Sequence, residues 1–374
     1  MLPYWTETYG NAGSTSHVFG WDAQDAVDTA RQIIASAIGA SAREIVFTSG
    51  ATESNNLALR GVAQSNRRQG GHIVSVLTEH KAVLDPLNRL SRRGFEVTLV
   101  PVAPCDREEV GLVDLEQLRD AIRTDTCLVS VMLANNEIGV IQQIGEIGSV
   151  CRSRDILLHT DATQAVGKIP VDVADLGVDL MSFSAHKIYG PKGVGALYVR
   201  RRAPRVRLEP QLDGGGQERS LRAGTLNVAG IVGFARALSL CLEEMQVENT
   251  RLWQLRQRLF TGLCRAVDDL SLNGPALETP SRRLVGNLNC SFAGIDGEAL
   301  MMSMRDLAVS SGSACTSTNP EPSHVLRALG ISDDLVRSSL RFGLGRFNTA
   351  DEVDFAIELV SETVKRLRRM NRLS

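Results

Sequence analysis

The chain has no run of about 18 apolar residues, so nothing in it reads as a helix spanning a bilayer. Its start, Met1-Leu2-Pro3-Tyr4-Trp5, lacks the basic and apolar regions of a secretory signal. Its seven cysteines are odd in number and scattered, with no CxxC pair and no histidine cluster. That argues against a disulfide framework or a zinc site, and no metal is expected. Charge of one sign is missing too: the net charge is -2, which gives no bulk attraction to nucleic acid or membrane. The basic run Arg200-Arg201-Arg202, continued by Arg205 and Arg207, reads as a solvated strand end rather than a nucleic-acid patch. Repeats and low-complexity tracts are absent. These exclusions leave a cytoplasmic protein with reduced thiols, and 374 residues suffice for a large core and two domains.

What is present is an alternation. Strand-like apolar runs at Glu44–Thr48, Ile73–Leu77, Glu96–Val100, Leu128–Leu133, Ile156–Thr160 and Leu180–Phe183 are separated by helix-like stretches such as Ala23–Ile38. This order predicts an α/β fold with a mostly parallel sheet. From about Val228 the pattern changes to long helices, Val228–Met245 and Arg251–Ala266. Then come a strand at Asn287–Phe292, a helix near Gly297–Arg305, a short strand at Ala308–Ser310, a strand at Arg337–Phe342 and a helix from Asp351 to about Arg369. A large domain over 1–246 and a smaller α+β domain over 247–374 are expected.

The residues at the strand ends carry the chemistry. Phe183-Ser184-Ala185-His186-Lys187 places a lysine after a buried run and before the turn Tyr189-Gly190-Pro191-Lys192-Gly193. A lysine there can lose its proton and condense with a carbonyl, with Ser184 and His186 as phosphate partners. A surface lysine after a strand is the competing reading of this segment alone. Thr48-Ser49-Gly50-Ala51-Thr52-Glu53 joins a strand to a helix through small residues, which exposes N–H groups to an anion. Asp161 ends another run, where α/β ligands bind; it either pairs with a pyridine nitrogen or caps the next helix. The order cup, aspartate, lysine points to pyridoxal 5'-phosphate (PLP). His80, in Thr78-Glu79-His80-Lys81, stands at the same edge, where an imidazole can stack on a ring and transfer protons. Asn135-Asn136-Glu137 adds hydrogen-bonding groups. Cys315, within Ser310-Ser311-Gly312-Ser313-Ala314-Cys315-Thr316-Ser317, reads as an exposed thiol on a mobile loop. The other cysteines, Cys127 and Cys151 among them, lie in apolar or helical surroundings and read as inert. Arg341 can fork onto a carboxylate, or is a plain surface arginine.

Taken together these residues resemble the IscS/NifS-like cysteine desulfurases, class V aminotransferases among the fold-type I PLP enzymes. The resembling motifs are Thr48–Asn56, Thr78–Val83, Asn135–Val140, Asp161–Gly167, Ser184–Gly195, Gly214–Thr225, Ser310–Ser317 and Arg341–Phe347, in family order over nearly the whole chain. The cysteine loop is similar to the long-loop class. The resemblance implies a seven-stranded, mostly parallel sheet between helices plus the smaller domain. It implies that Lys187 carries PLP, that Asp161 bonds the pyridine nitrogen, that Gln164 bonds the phenolic oxygen and that His80 stacks on the ring. Ala51, Thr52, Ser184 and His186 would hold the phosphate, and Thr225 would reach the phosphate of a second subunit in a homodimer. Asn136 and Arg341 would orient L-cysteine beside the cofactor. Lys187 would move the substrate's α-proton, and the Cys315 thiolate would take the sulfur as a persulfide, leaving alanine. The sulfur would go to an iron–sulfur scaffold or another acceptor, with tRNA thiolation as a further use.

The chain departs from the family pattern in four places. A preceding segment like Tyr-Leu-Asp-Tyr-Ala-Ala-Thr-Thr is expected before Met1, and a docking tail after Ser374. Asn11-Ala12-Gly13-Ser14 lacks the usual proline, and Ala185 stands where glycine is usual. The rival expectations are a selenocysteine lyase or another class V PLP enzyme, and a catalytically impaired PLP-binding or scaffold partner.

Overall fold

Runs of Val, Ile and Leu four or five residues long make the strands of the main sheet. They are β1 (Ile45–Thr48), β2 (His72–Val76), β3 (Glu96–Val100), β4 (Thr126–Ser130), β5 (Leu157–Asp161), β6 (Leu180–Ser184) and β7 (Gly195–Val199). The computed structural model describes residues 1–66, 71–202, 205–310 and 322–371. In space the order is β1-β7-β6-β5-β4-β2-β3. All pairings from β6 through β3 are parallel, while β7 runs antiparallel to both β6 and β1. The carboxyl ends of β1, β2, β4, β5 and β6 therefore share one edge.

Every residue of β1, β2, β6 and β7 is buried. This explains why β1, β2 and β6 read as continuous runs rather than alternating ones. Helices Ala51–Ser65, Lys81–Ser91, Leu115–Ala121 and Ile144–Ser153 make the crossovers. A core of Val46, Leu57, Val62, Ile73, Leu87, Leu128, Leu180 and Leu197 forms where the first two of these meet the sheet. β7 is not among the runs read from sequence, because its first residue continues the glycine-rich turn after Lys187. Arg200, directly after β7, binds Asp179 at 2.5 Å.

The chain divides into two compact units. The first comprises Met1–Val100, Leu115–Ala134 and Gln142–Met245; the second comprises Pro101–Asp114, Asn135–Ile141 and Gln246–Ser374. The second therefore draws two short segments from earlier in the chain than its main part. Its sheet is β10-β9-β8, antiparallel, from β8 (Leu270–Leu272), β9 (Asn287–Phe292) and β10 (Ser339–Gly343). Leu259, Leu263, Phe292, Leu340, Val360 and Val364 form its core. Two expectations are corrected. Val228–Ala266 is one continuous helix of 39 residues. Nothing between Met245 and Arg251 is glycine or proline, so nothing interrupts its hydrogen-bond ladder. At Ala308–Ser310 there is no strand but a single bridge, Ser310 to Arg341. Among the described residues, no helix is long and apolar enough to cross a membrane.

Candidate active site

At the end of β1 the chain turns through Ser49 and Gly50 into the helix Ala51–Ser65. Gly50 takes φ +151°, a conformation side chains rarely adopt. No side chain caps this helix. The N–H groups of its first turn thus have no intrahelical acceptor and carry the positive end of the helix dipole. In register, Gly195 of β7 lies between Thr48 and Ser184. A Cβ on Gly195 would sit 2.6 Å from the Gly50 Cα. Only a residue without a side chain lets the two turns close on each other this way. Ser184 Oγ is consequently the nearest atom, at 3.8 Å, to a Cβ built on Gly50. Ser184 Oγ is also 2.8 Å from His186 Nδ1. The short turn Ala185–Ile188 then presents His186 and Lys187 outward. Ala185 is buried in that helical turn, a conformation alanine adopts without cost. Burial, and then the charges of Lys187 and Lys192, lower the His186 pKa and favour its neutral ring.

One strand away, Asp161 ends β5, buried. Asn55 Nδ2 donates to its Oδ2 at 2.7 Å and the Thr163 N–H to its Oδ1 at 2.9 Å. Asn55 lies one turn into the same helix whose uncapped end forms the cup, so one rigid element fixes both. Glu79 is wholly buried and accepts from the Met132 N–H at 2.6 Å. Burial, reinforced by the nearby charge of Asp161, raises the Glu79 pKa well above its ordinary value. His80 follows as the N-cap of helix Lys81–Ser91, its Nδ1 accepting from the Ala82 N–H at 3.0 Å. In the neutral ring, Nε2 then carries the proton. Lys168 Nζ donates to Gln164 Oε1 at 2.7 Å, which makes the NH2 the donor end of that amide.

His159, beneath Asp161, spans three strands through Ser130 Oγ (2.8 Å) and Ser182 Oγ (3.0 Å). Burial pulls its pKa from 6.5 to about 4, against the opposing charge of Asp161. The folded state binds this proton less readily than the unfolded chain. Stability from this group is therefore full above pH 6.5 and is lost as pH falls towards 4. Urea unfolding at pH 7 and pH 4.5 is expected to show a loss approaching about 3 kcal/mol that a His159→Gln variant lacks. Equal pH dependence in both proteins would refute it.

The segment Gly214–Thr225 is fastened to the same edge. Glu218, Arg219 and Ser220 take φ values of 47°, 58° and 64° in succession. A left-handed non-glycine residue costs about 1–2 kcal/mol. What holds them is a buried ion pair: Arg31 donates to Glu218 through both terminal nitrogens, at 2.8 and 2.6 Å. Glu218 also accepts from the Phe47 N–H at 2.7 Å, and Arg219 donates to the Ile45 carbonyl at 2.7 Å. Farther along, Arg222 Nε donates to Glu53 Oε1 at 2.8 Å, while Glu53 Oε2 accepts from the Ser49 N–H at 2.8 Å. Burial alone would raise the Glu53 pKa, but Arg222 and Ser49 outweigh it and hold the carboxyl ionised. Thr225, just beyond, is exposed.

Asn136 and Arg341 belong to the second unit, where Arg341 Nη1 donates to the Asn136 carbonyl at 3.1 Å. The Ser310 N–H donates to the Arg341 carbonyl at 3.2 Å, and Ser323 donates to Glu137. Ser323 thus meets Glu137 directly, while Ser310 is tied to Arg341, which itself donates to Asn136. Cys315 lies outside the described residues. Of the other thiols, Cys127, Cys151 and Cys290 are pushed by burial up to about 11, 12 and 12, which fits inert packing groups, whereas Cys105, exposed in a turn, departs from the expected apolar or helical surroundings.

The structure gathers Ala51, Thr52, Ser184, His186, Lys187, Asp161, Gln164 and His80 along one sheet edge. Asn55, Glu79, Glu53, Arg222, Arg31 and Glu218 are not among the residues singled out from sequence. Asn55 stands one helical turn past Ala51, a spacing from which it was readable. Nothing in the sequence links Arg31 to Glu218, 187 residues apart.

A family model described as aminotransferase class-V matches residues 1–355. The cysteine desulfurase IscS of Anaeromyxobacter sp. (strain Fw109-5) is 57% identical over 373 residues, spanning 100% of this chain and 90% of that protein. The IscS of Aeromonas hydrophila is 56% identical over 365 residues, spanning 98% and 88%. A solved NifS-like protein superposes with a TM-score of 0.89 at 38% identity, covering 98% of this chain and 94% of the other. A sheet edge bearing cup, aspartate and lysine, within a chain so similar to these proteins, places it in the aminotransferase class-V family, among the IscS-type cysteine desulfurases.

Proposed function

We propose that this sheet edge is the catalytic site of a cysteine desulfurase, which converts L-cysteine to L-alanine and passes the sulfur on through Cys315. The family is PLP-dependent, and the residues suit that group. The uncapped helix end, Ser184 and His186 are donors for a phosphate, and Asp161 is a fixed acceptor for a protonated ring nitrogen. Gln164 offers its NH2 to the phenolic oxygen, His80 its ring face, and Lys187 its amine. The observation that carries the reading is that Asn55 aims Asp161 from the very helix whose open end makes the cup.

PLP, when bound, supplies an electron sink for charge developing at the substrate Cα. Lys187 takes the proton from that carbon and returns one to the product. Arg341, with Asn136, grips the substrate carboxylate. The Cys315 thiolate takes the sulfur and holds it as a persulfide for an acceptor, an iron–sulfur scaffold protein or the machinery of tRNA thiolation. The active form is a homodimer in the cytoplasm, with Thr225 reaching the partner's cofactor phosphate. Support for a partner surface comes from Trp5, Tyr9, Phe19 and Trp21, four aromatic side chains of the N-terminal stretch that are all exposed. Relatives that are themselves cysteine desulfurases do not favour the selenocysteine lyase or the impaired partner.

The test is to incubate the purified protein with L-cysteine and measure alanine and sulfide, with Cys315→Ala alongside. Alanine formation and sulfide release that fail in the variant are expected. Cofactor absorbance without alanine would overturn the desulfurase reading, and sulfide that survives Cys315→Ala would overturn the persulfide role.

A further inference from the structure

Three consecutive left-handed residues, none of them glycine, form an unstable stretch of backbone unless other contacts hold it. Here the contacts are specific and buried. Glu218 reaches across to Arg31 and to the Phe47 N–H of β1, while Arg222 is tied to Glu53 in the first turn of the cup helix. The Gly224 N–H donates to Gln217 Oε1 at 2.8 Å, which closes the segment on itself. Ser220 is exposed, and its side chain makes no hydrogen bond among the described residues. The strain at Ser220 is thus met within the segment only by its backbone N–H, which donates to the Gly216 carbonyl at 3.1 Å, and not by its side chain.

We infer that Glu218, with Arg31 and Arg222, is a positioning residue. The buried Arg31–Glu218 pair holds the 218–220 turn left-handed and so sets Thr225 where it meets the cofactor phosphate of a second copy of this chain. This rests on the reading of Thr225 given above. The clamp stands on β1, and Glu53 sits in the cup itself. The same two elements that bind one phosphate therefore aim the residue that binds the other, and the two sites of the dimer are built on one frame. Glu218→Gln removes the charge and turns an NH2 towards either Arg31 or the Phe47 N–H, donors already, so the turn relaxes.

The experiment uses the purified holo-dimer and follows the rate of cofactor release by absorbance, with dimer mass and thermal unfolding as controls. Glu218→Gln is expected to release cofactor about tenfold faster, a difference of ~1.4 kcal/mol. Arg222→Gln, at a less buried site, is expected to do the same should Glu218→Gln fold poorly. The added change Ser220→Gly removes the left-handed penalty at one of the three positions and is expected to restore slow release in part to either variant. In a Thr225→Ala background, Glu218→Gln is expected to add nothing further. Full additivity with Thr225→Ala, or no recovery with Ser220→Gly, overturns the inference. If Thr225→Ala alone speeds release but Glu218→Gln and Arg222→Gln do not, the clamp fails while the reading of Thr225 stands. If Thr225→Ala has no effect, that reading falls and the clamp with it.

Discussion

Lys187→Ala is expected to lower alanine formation from L-cysteine by about 10³-fold or more while leaving the fold unchanged. Lys187 is exposed at the end of the Ala185–Ile188 turn, so removing its side chain deletes no core contact. A surface change of this kind alters stability by less than about 0.5 kcal/mol. The turn itself is set by its neighbours. Tyr189 takes φ 64°, and Gly190 approaches so closely that a Cβ there would lie 2.9 Å from the Ala185 carbonyl oxygen. The phosphate donors proposed for the cup are on other residues, so the variant is expected to keep the means to hold PLP without the proposed covalent link. Lys187→Arg serves as the companion. It preserves charge and length but cannot give up its proton, and is expected to be as inactive as alanine. Single-turnover alanine formation is the measurement. Either variant within tenfold of the wild type would remove Lys187 from the proton-carrying role.

Asp161→Asn is expected to cost about 10²–10³ in turnover, with a far smaller loss of cofactor binding. The change is close to isosteric and still fails, for two separable reasons. It removes the negative charge proposed to keep a ring nitrogen protonated. It also puts an NH2 where both carboxylate oxygens now accept. One faces Asn55 Nδ2 at 2.7 Å, the other the Thr163 N–H at 2.9 Å, so either orientation of the new amide sets donor against donor. A second change, Asn55→Asp, distinguishes the reasons. It supplies an acceptor for the new amide and relieves the clash without restoring charge at position 161. The double variant is expected to recover stability but not turnover. Turnover within tenfold of wild type in Asp161→Asn would show that no charge is needed at this position.

Much of the site was legible from sequence because chemistry and position coincide there. Asp161 and Lys187 each end an apolar run, and in a parallel sheet run ends converge on one edge. The small residues of the cup were legible for a related reason, since a strand-to-helix turn suited to an anion exposes backbone N–H groups. The second unit was harder to delimit. Segments 101–114 and 135–141 belong to it although they lie far from 246–374 in the chain, and local pattern carries no sign of a non-local association. The single helix Val228–Ala266 shows the opposite difficulty, a change of polarity that looked like a break where the backbone had none.

By itself, then, the sequence determined the alternation of strands and helices and which residue types stand at the strand ends. Hydrophobic period and turn chemistry are local properties, and they leave little choice once the run lengths are fixed. Only the tertiary structure decided how those ends are held. Asn55 on Asp161, Glu79 buried within range of the Asp161 charge, and Arg31 locked onto Glu218 are pairings across 106, 82 and 187 positions respectively in the chain. They form because folding buries these groups together, and a buried polar group must find a partner or give up its charge.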